Sequence, residues 1–150
     1  MTLENDGHTI KILFKWPQDP KLLPYVHGGP LTGEFIRHSH QFRWGSDVRN
    51  GSEHQLDGAS YAMEMQAVHY NREFGSYKEA KGSENGVMIM SVFFRLRKES
   101  EYLTRIIEKL PEVSEPGLTI DMEPFALGEY FDNNNSTTYT FYSGSLTHPP

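Results

Sequence analysis

The sequence predicts a mainly β domain with short helices, and three observations carry that prediction. Aromatic residues make up 13% of the chain, while 13 glycines and 9 prolines divide it into short segments. Period-two alternation recurs along the chain, whereas helical spacing appears in one stretch only. Thr9 to Phe14 reads as a strand, because it is rich in β-formers and follows the turn-like Asn5-Asp6-Gly7. Trp16-Pro17 and Asp19-Pro20 end it, and residues 17 to 33 read as loop. Glu34 to Trp44 alternates imperfectly. Tyr61 to Tyr70 alternates well, with Met63, Met65, Ala67 and His69 on one face and Ala62, Glu64, Gln66 and Val68 on the other. Val87 to Leu96 is an almost continuous apolar run after Gly86, the pattern of a strand covered on both faces, and is predicted to lie centrally in the sheet. Ser100 is placed to cap a short helix in which Leu103, Ile106, Ile107 and Leu110 form a packing stripe, stopped by Pro111. Thr137 to Tyr142 reads as a last strand after the polar tract Asp132 to Ser136.

A chain of 150 residues is one domain's worth, and at that size it can bury roughly 70% of its unfolded surface. Fourteen basic against 20 acidic residues leave a net charge of −6. With no Lys or Arg run longer than two, a nucleic-acid or anionic-membrane surface is not expected. The longest apolar stretch, Val87 to Phe94, is broken by Ser91 and falls far short of the ~20 residues of a membrane span. The absence of cysteine excludes disulfides, thiolate metal sites and cysteine nucleophiles. Met1 to Gly7 is acidic and polar without an apolar leader core, so a cytoplasmic protein is expected. Sequons begin at Asn50, Asn134 and Asn135; they matter only if a longer form carries a leader and is extracellular. Ser143 to Pro150 brings no terminal helix or polar tail, so the chain reads as cut.

Seven histidines, at 8, 27, 38, 40, 54, 69 and 148, dominate the catalytic inventory. His38 and His40 are spaced i, i+2 on an expected strand and share a face, a spacing suited to two ligands of a three-histidine zinc site. Such pairs are more often solvent-facing or hydrogen-bonded than metal-bound.

Five separated blocks carry a resemblance: Gly29-Pro30-Leu31, Phe42-Arg43-Trp44-Gly45, Gly51-Ser52-Glu53-His54, Glu64 to Asn71, and Gly144 to Pro150. In order and spacing they resemble the α-class carbonic anhydrases, and Asn5-Asp6-Gly7-His8 fits the segment before them. The resemblance covers nearly the whole chain, residues 1 to 150, as a partial domain. It implies a large, mostly antiparallel twisted sheet with a conical cleft, at whose base active members hold Zn²⁺ with three histidines. It also implies further strands beyond Pro150, so that the sheet here is incomplete and has unpaired edges.

At the three ligand positions implied by the resemblance this chain carries Gln41, Arg43 and Gln66. Arginine has donors only and stays protonated, and a Gln amide oxygen is a poor substitute for imidazole at a tetrahedral zinc. The resemblance further assigns Glu53 and Thr147 to the pair that orients zinc-bound hydroxide, His8 to the proton shuttle, and Glu64 to the support of the third ligand. Val68, Ile89 and Leu146 match the lining of the CO₂ pocket, and His148 replaces a threonine.

With no cation beside them, Glu53 and Glu64 need donors, so Arg43 is expected to project into the former metal site and pair with Glu64 or Glu53, and Gln66 to bond Glu64. A rival metal site follows if Gln41 lies opposite Gln66, for His38 then faces His69 with His40 on the same side. The expected function is a catalytically inactive carbonic-anhydrase-like domain, similar to the carbonic-anhydrase-related proteins, acting as an interaction module for a protein partner and holding no cofactor. The alternative is zinc-dependent CO₂ hydration at a weak or rerouted site.

Overall fold

The computed structural model describes residues 1–96, 101–125 and 140–141. Among the described residues seven strands form one antiparallel sheet: β1 (Thr2–Asn5), β2 (Ile10–Leu13), β3 (Tyr25–Val26), β4 (Phe35–Trp44), β5 (Met63–Asn71), β6 (Val87–Phe94) and β7 (Thr119–Asp121). Their order across the sheet is β6-β5-β4-β2-β1-β7, with β3 pairing on β4. The α-helices among the described residues are α1 (Tyr77–Ala80) and α2 (Glu101–Ile107).

Local chemistry explains the hairpins. Asp6 Oδ1 accepts the amides of His8 at 2.9 Å and Thr9 at 2.8 Å, and Gly7 takes a φ of +88°, so the chain reverses tightly between β1 and β2. Lys11 then pairs with Asp6, and Thr9 Oγ1 donates to Phe42 O, tying the turn to β4. At α1, Ser76 Oγ caps the helix by accepting from Glu79 N.

The pleat separates two unlike faces. On one, Leu3, Ile10, Ile12, Phe42 and Met65 pack beneath Ile106 of α2, Val113 and Met122, forming the hydrophobic core. The other carries rungs of mixed character: Lys11, Gln41, Gln66 and Ser91 lie side by side, flanked by Leu13, Ser39, Val68 and Ile89 on one side and by Arg43, Glu64 and Phe93 on the other.

Several sequence expectations are corrected here. The run from Val87 lies at the edge of the described sheet rather than at its centre, with every residue of β6 only partly buried. Its apolar character had pointed to two covered faces, but periodicity cannot distinguish cover above from a neighbour alongside. The helical stripe divides: Ile106 enters the core while Ile107 is 58% exposed, and Leu110–Val113 forms a 3-10 turn that includes Pro111. The short strands β1, β3 and β7 were not anticipated, because segments of two to four residues draw their order from neighbours. Of the expected strand at 137–142 only residues 140 and 141 are described, and they carry no strand.

Phe42 sits where β4 meets both β5 and the covering elements. Phe42→Ala is expected to lower stability by about 3–5 kcal/mol in urea unfolding, whereas exposed Trp44→Ala changes it by about 0.5 kcal/mol or less.

Candidate functional site

β4 and β5 pair with Gln41 opposite Gln66 and Arg43 opposite Glu64, so four polar side chains fall on two successive rungs of the open face. β6 adds Ser91 opposite Gln66. The loop between β4 and β5 supplies the rest. Gly51 N and Ser52 N both donate to Tyr61 O at 2.9 Å, pinning the loop to the start of β5. Only glycine allows that approach, since a Cβ on residue 51 would lie 1.9 Å from Ala62 O. Ser52 Oγ accepts from Tyr61 N at 2.8 Å and donates to His54 O at 2.7 Å. Glu53 and His54 are thereby delivered over the middle of the sheet.

Glu64 is fully buried and saturated with donors. Its Oε1 accepts from His54 Nδ1 at 2.7 Å, Ser91 Oγ at 2.7 Å and Gln66 Nε2 at 3.0 Å, and its Oε2 accepts from His54 N at 2.9 Å. Burial works to raise its carboxyl pKa, but the bonds from the His54 amide, Ser91, Gln66 and the His54 ring outweigh it and hold the group below its usual value. Glu53 Oε2 accepts from Arg43 Nε at 3.0 Å and from Gln66 Nε2 at 2.9 Å. Arg43 Nη2 in turn donates to Gln41 Oε1 at 3.3 Å. Gln66 therefore spends both amide hydrogens bridging the two carboxylates, and its buried Oε1 finds no partner among the described residues.

Gln41, Arg43, Glu53, Glu64 and Gln66 thus form one network, and the expected arginine pairing is made to Glu53 rather than Glu64. Val68 and Ile89 lie directly opposite each other on the same face. His8 is exposed in the β1–β2 turn. Leu146, Thr147 and His148 fall outside the described residues. Sequence reasoning missed His54 and Ser91. Both left a trace: His54 directly follows Glu53, and Ser91 is the one polar residue in an apolar strand.

The rival set His38, His40 and His69 is not assembled. The register shifts between Arg37 and Ser39, so that Arg37, not His38, lies opposite His69. His38 stacks on Tyr77 at 4.1 Å, and His40 meets Phe14 edge-on at 4.8 Å. Among the described residues no group of three or more His, Asp or Glu gathers to hold a metal ion. At the centre of the network, Arg43 offers only donors and Gln66 turns its NH₂ toward the carboxylates, a donor set ill suited to zinc.

Fold and site together define an antiparallel β-sheet domain that carries a carboxylate–amide–guanidinium cluster at the middle of its open face. The sequence pattern of the eukaryotic-type carbonic anhydrase family matches residues 1–150. Carbonic anhydrase 6 of Mus musculus is 34% identical, over 99% of this chain and 46% of its own length. Carbonic anhydrase 1 of Monodelphis domestica is 34% identical, over 97% and 54%. Carbonic anhydrase 3 of Homo sapiens is 30% identical, over 99% and 55%. The chain belongs to the eukaryotic-type carbonic anhydrase family, and it spans about half the length of these relatives.

Two outcomes follow from this geometry. Arg43→Met strips Glu53, whose side chain is 14% exposed, of its cation, and is expected to lower stability by about 2 kcal/mol. Adding Glu53→Gln restores at least half of that in a double-mutant cycle; no coupling between the two would contradict the pairing. The second outcome concerns acid. Burial first, then the charge of Arg37, lowers the His69 pKa from 6.5 to about 4, and burial likewise lowers that of His40. The unfolded chain takes up these protons first, so the contribution is complete above pH 6.5 and is lost as pH falls toward 4. Urea unfolding at pH 7.5 and pH 5 is expected to show a loss of about 2 kcal/mol from His69 alone. His69→Gln should flatten that slope.

Proposed function

We infer that this domain is a catalytically silent member of its family and serves as a binding module. One observation carries the reading: Arg43 lies at a ligand position implied by the family resemblance and donates from Nε to Glu53 at 3.0 Å. Hydration of CO₂ in the family needs zinc to lower the pKa of bound water to about 7. A protonated guanidinium can neither ligate that ion nor share its position at low cost. Gln41 and Gln66 supply no imidazole at the other two positions, and their amides are engaged with Arg43 and with both carboxylates. No step of zinc chemistry is therefore assigned to this chain. Its partner is taken to be a protein, since the net charge of −6 disfavours nucleic acid and anionic lipid. A cytoplasmic setting fits the cysteine-free composition.

The relatives' names, carbonic anhydrases all three, favour a second reading as a zinc-dependent enzyme. Zinc per chain after dialysis, measured with stopped-flow CO₂ hydration, separates the two. The chain is expected to retain less than about 0.1 zinc and to show background rates, and Arg43→His alone is expected to change neither. The triple variant Gln41→His, Arg43→His, Gln66→His is expected to take up about one zinc. About one zinc with inhibitor-sensitive turnover in the unaltered chain would overturn the silent reading.

A further inference from the structure

Two Asn-Gly pairs stand in this chain, Asn50-Gly51 and Asn85-Gly86. Asparagine followed by glycine is the dipeptide best suited to cyclise on itself, because a residue without Cβ leaves its amide nitrogen open to the preceding side chain. The fold holds the two pairs differently. Asn85 is fixed through its side chain as well as its backbone: its Nδ2 donates to Thr32 O at 2.8 Å, its O accepts from Asn71 Nδ2 at 3.1 Å, and Gly86 N donates to Ser83 O at 3.1 Å. Asn50 is exposed, and among the described residues its carboxamide has no hydrogen bond. Its restraint is in the main chain. Asn50 N donates to Asp47 O at 3.1 Å, and Gly51 N, the atom that would attack, has its proton committed to Tyr61 O at 2.9 Å. Space is short on both sides. A Cβ on Gly45 would lie 2.3 Å from Asn50 O, and a Cβ on Gly51 1.9 Å from Ala62 O.

We propose that Asn50-Gly51 is a self-modifying site gated by opening of the β4–β5 loop, and that its reaction irreversibly dismantles the charge network which that loop completes. While the loop is closed, the bond to Tyr61 O keeps Gly51 N from attacking. When the loop opens, Gly51 N gives its proton to solvent base and bonds to Asn50 Cγ, and Asn50 Nδ2 leaves as ammonia, closing a succinimide ring. Water then opens the ring at one of its two C–N bonds. Cleavage of the new bond gives aspartate. Cleavage of the original peptide bond gives isoaspartate, in which the main chain runs through Cγ and is one methylene longer. The sum is one water consumed and one ammonia released, with no oxidant and no enzyme. A main chain lengthened between residues 50 and 51 does not fit where neither Gly45 nor Gly51 has room for a Cβ, so Gly51 N and Ser52 N cannot both return to Tyr61 O. Glu53 and His54 follow directly and lose the position from which they meet Arg43, Gln66 and Glu64. Aspartate at the same position keeps the chain length and leaves the loop able to close.

Peptide mass mapping of the 150-residue chain, incubated in neutral buffer and in concentrated urea, tests this without reference to zinc. Conversion reads as a mass gain of about 1 Da, and isoaspartate is told from aspartate by enzymatic methylation of its α-carboxylate. In urea the two pairs are expected to react at equal rates. In buffer both slow, and Asn85, with one more bond to break, is expected to slow at least about five-fold more than Asn50. Exchange of the Gly51 amide measures the open fraction independently, and the slowing at Asn50 from urea to buffer is expected to match that fraction within about three-fold. Ser52→Ala removes the ties to Tyr61 N and His54 O and is expected to speed Asn50 at least about five-fold with Asn85 unchanged. If that variant fails to fold, both pairs accelerate together, and the exchange comparison on the unaltered chain decides. Chains with isoaspartate at residue 50 are expected to lose protection at the Gly51 and Ser52 amides, and Asn50→Asp to keep it. Asn50 reacting in buffer as fast as in urea, or a slowing unrelated to Gly51 exchange, would overturn the proposal. Isoaspartate chains that still protect both amides would overturn it as well.

Discussion

The pairing of β4 with β5 is the constraint on which the rest of this molecule depends. These are the two longest strands among the described residues, and their register decides which side chains meet on each face. Because side chains alternate with period two, a slip of one residue would send Glu64 and Gln66 into the hydrophobic core and expose Met65 and Ala67. The core makes that slip prohibitive, since a carboxylate moved among Leu3, Ile12 and Phe42 would lose every donor it now has. The polar network and the hydrophobic core therefore enforce the same register from opposite faces. The irregularity after Arg37 confines its own effect to the far end of β4, where it decides the fate of the histidines.

Charge balance explains the composition of the open face. Two carboxylates stand close enough for a single amide nitrogen to bond both. Such a pair is tolerable only when donors outnumber the lone pairs left dry. Glu64 is served entirely by neutral backbone and side-chain donors and by the ring of His54, while Glu53 takes the one guanidinium. Arg43 meets that electrostatic problem by donating from Nε to Glu53 and from Nη2 to Gln41. Gln66 is suited to its place for the same reason: two hydrogens on one nitrogen can satisfy two acceptors at once without adding charge.

The histidines show how little residue type says about role. His38 and His40 have metal-ligand spacing, yet one stacks on Tyr77 and the other packs against Phe14. His54, which has no histidine near it in sequence, is the one that enters the polar network. Spacing along a strand identifies a shared face only while the strand is regular, and a single inserted residue breaks the inference.

The amino-acid sequence by itself determined the β class, the positions of β2, β4, β5 and β6 to within two or three residues, the two faces of β5, and the family. It also made the meeting of Arg43 with a carboxylate foreseeable, because period-two patterning, turn residues and the need to neutralise buried charge are local facts. It left undetermined whether Arg43 would choose Glu53 or Glu64, that His54 and Ser91 would complete the shell of Glu64, and that His38 would be carried away from His69. Those outcomes were decided by tertiary structure, since each depends on the register between strands distant in sequence and on a loop held over the sheet by Tyr61 O, and neither leaves a periodic signal in the chain.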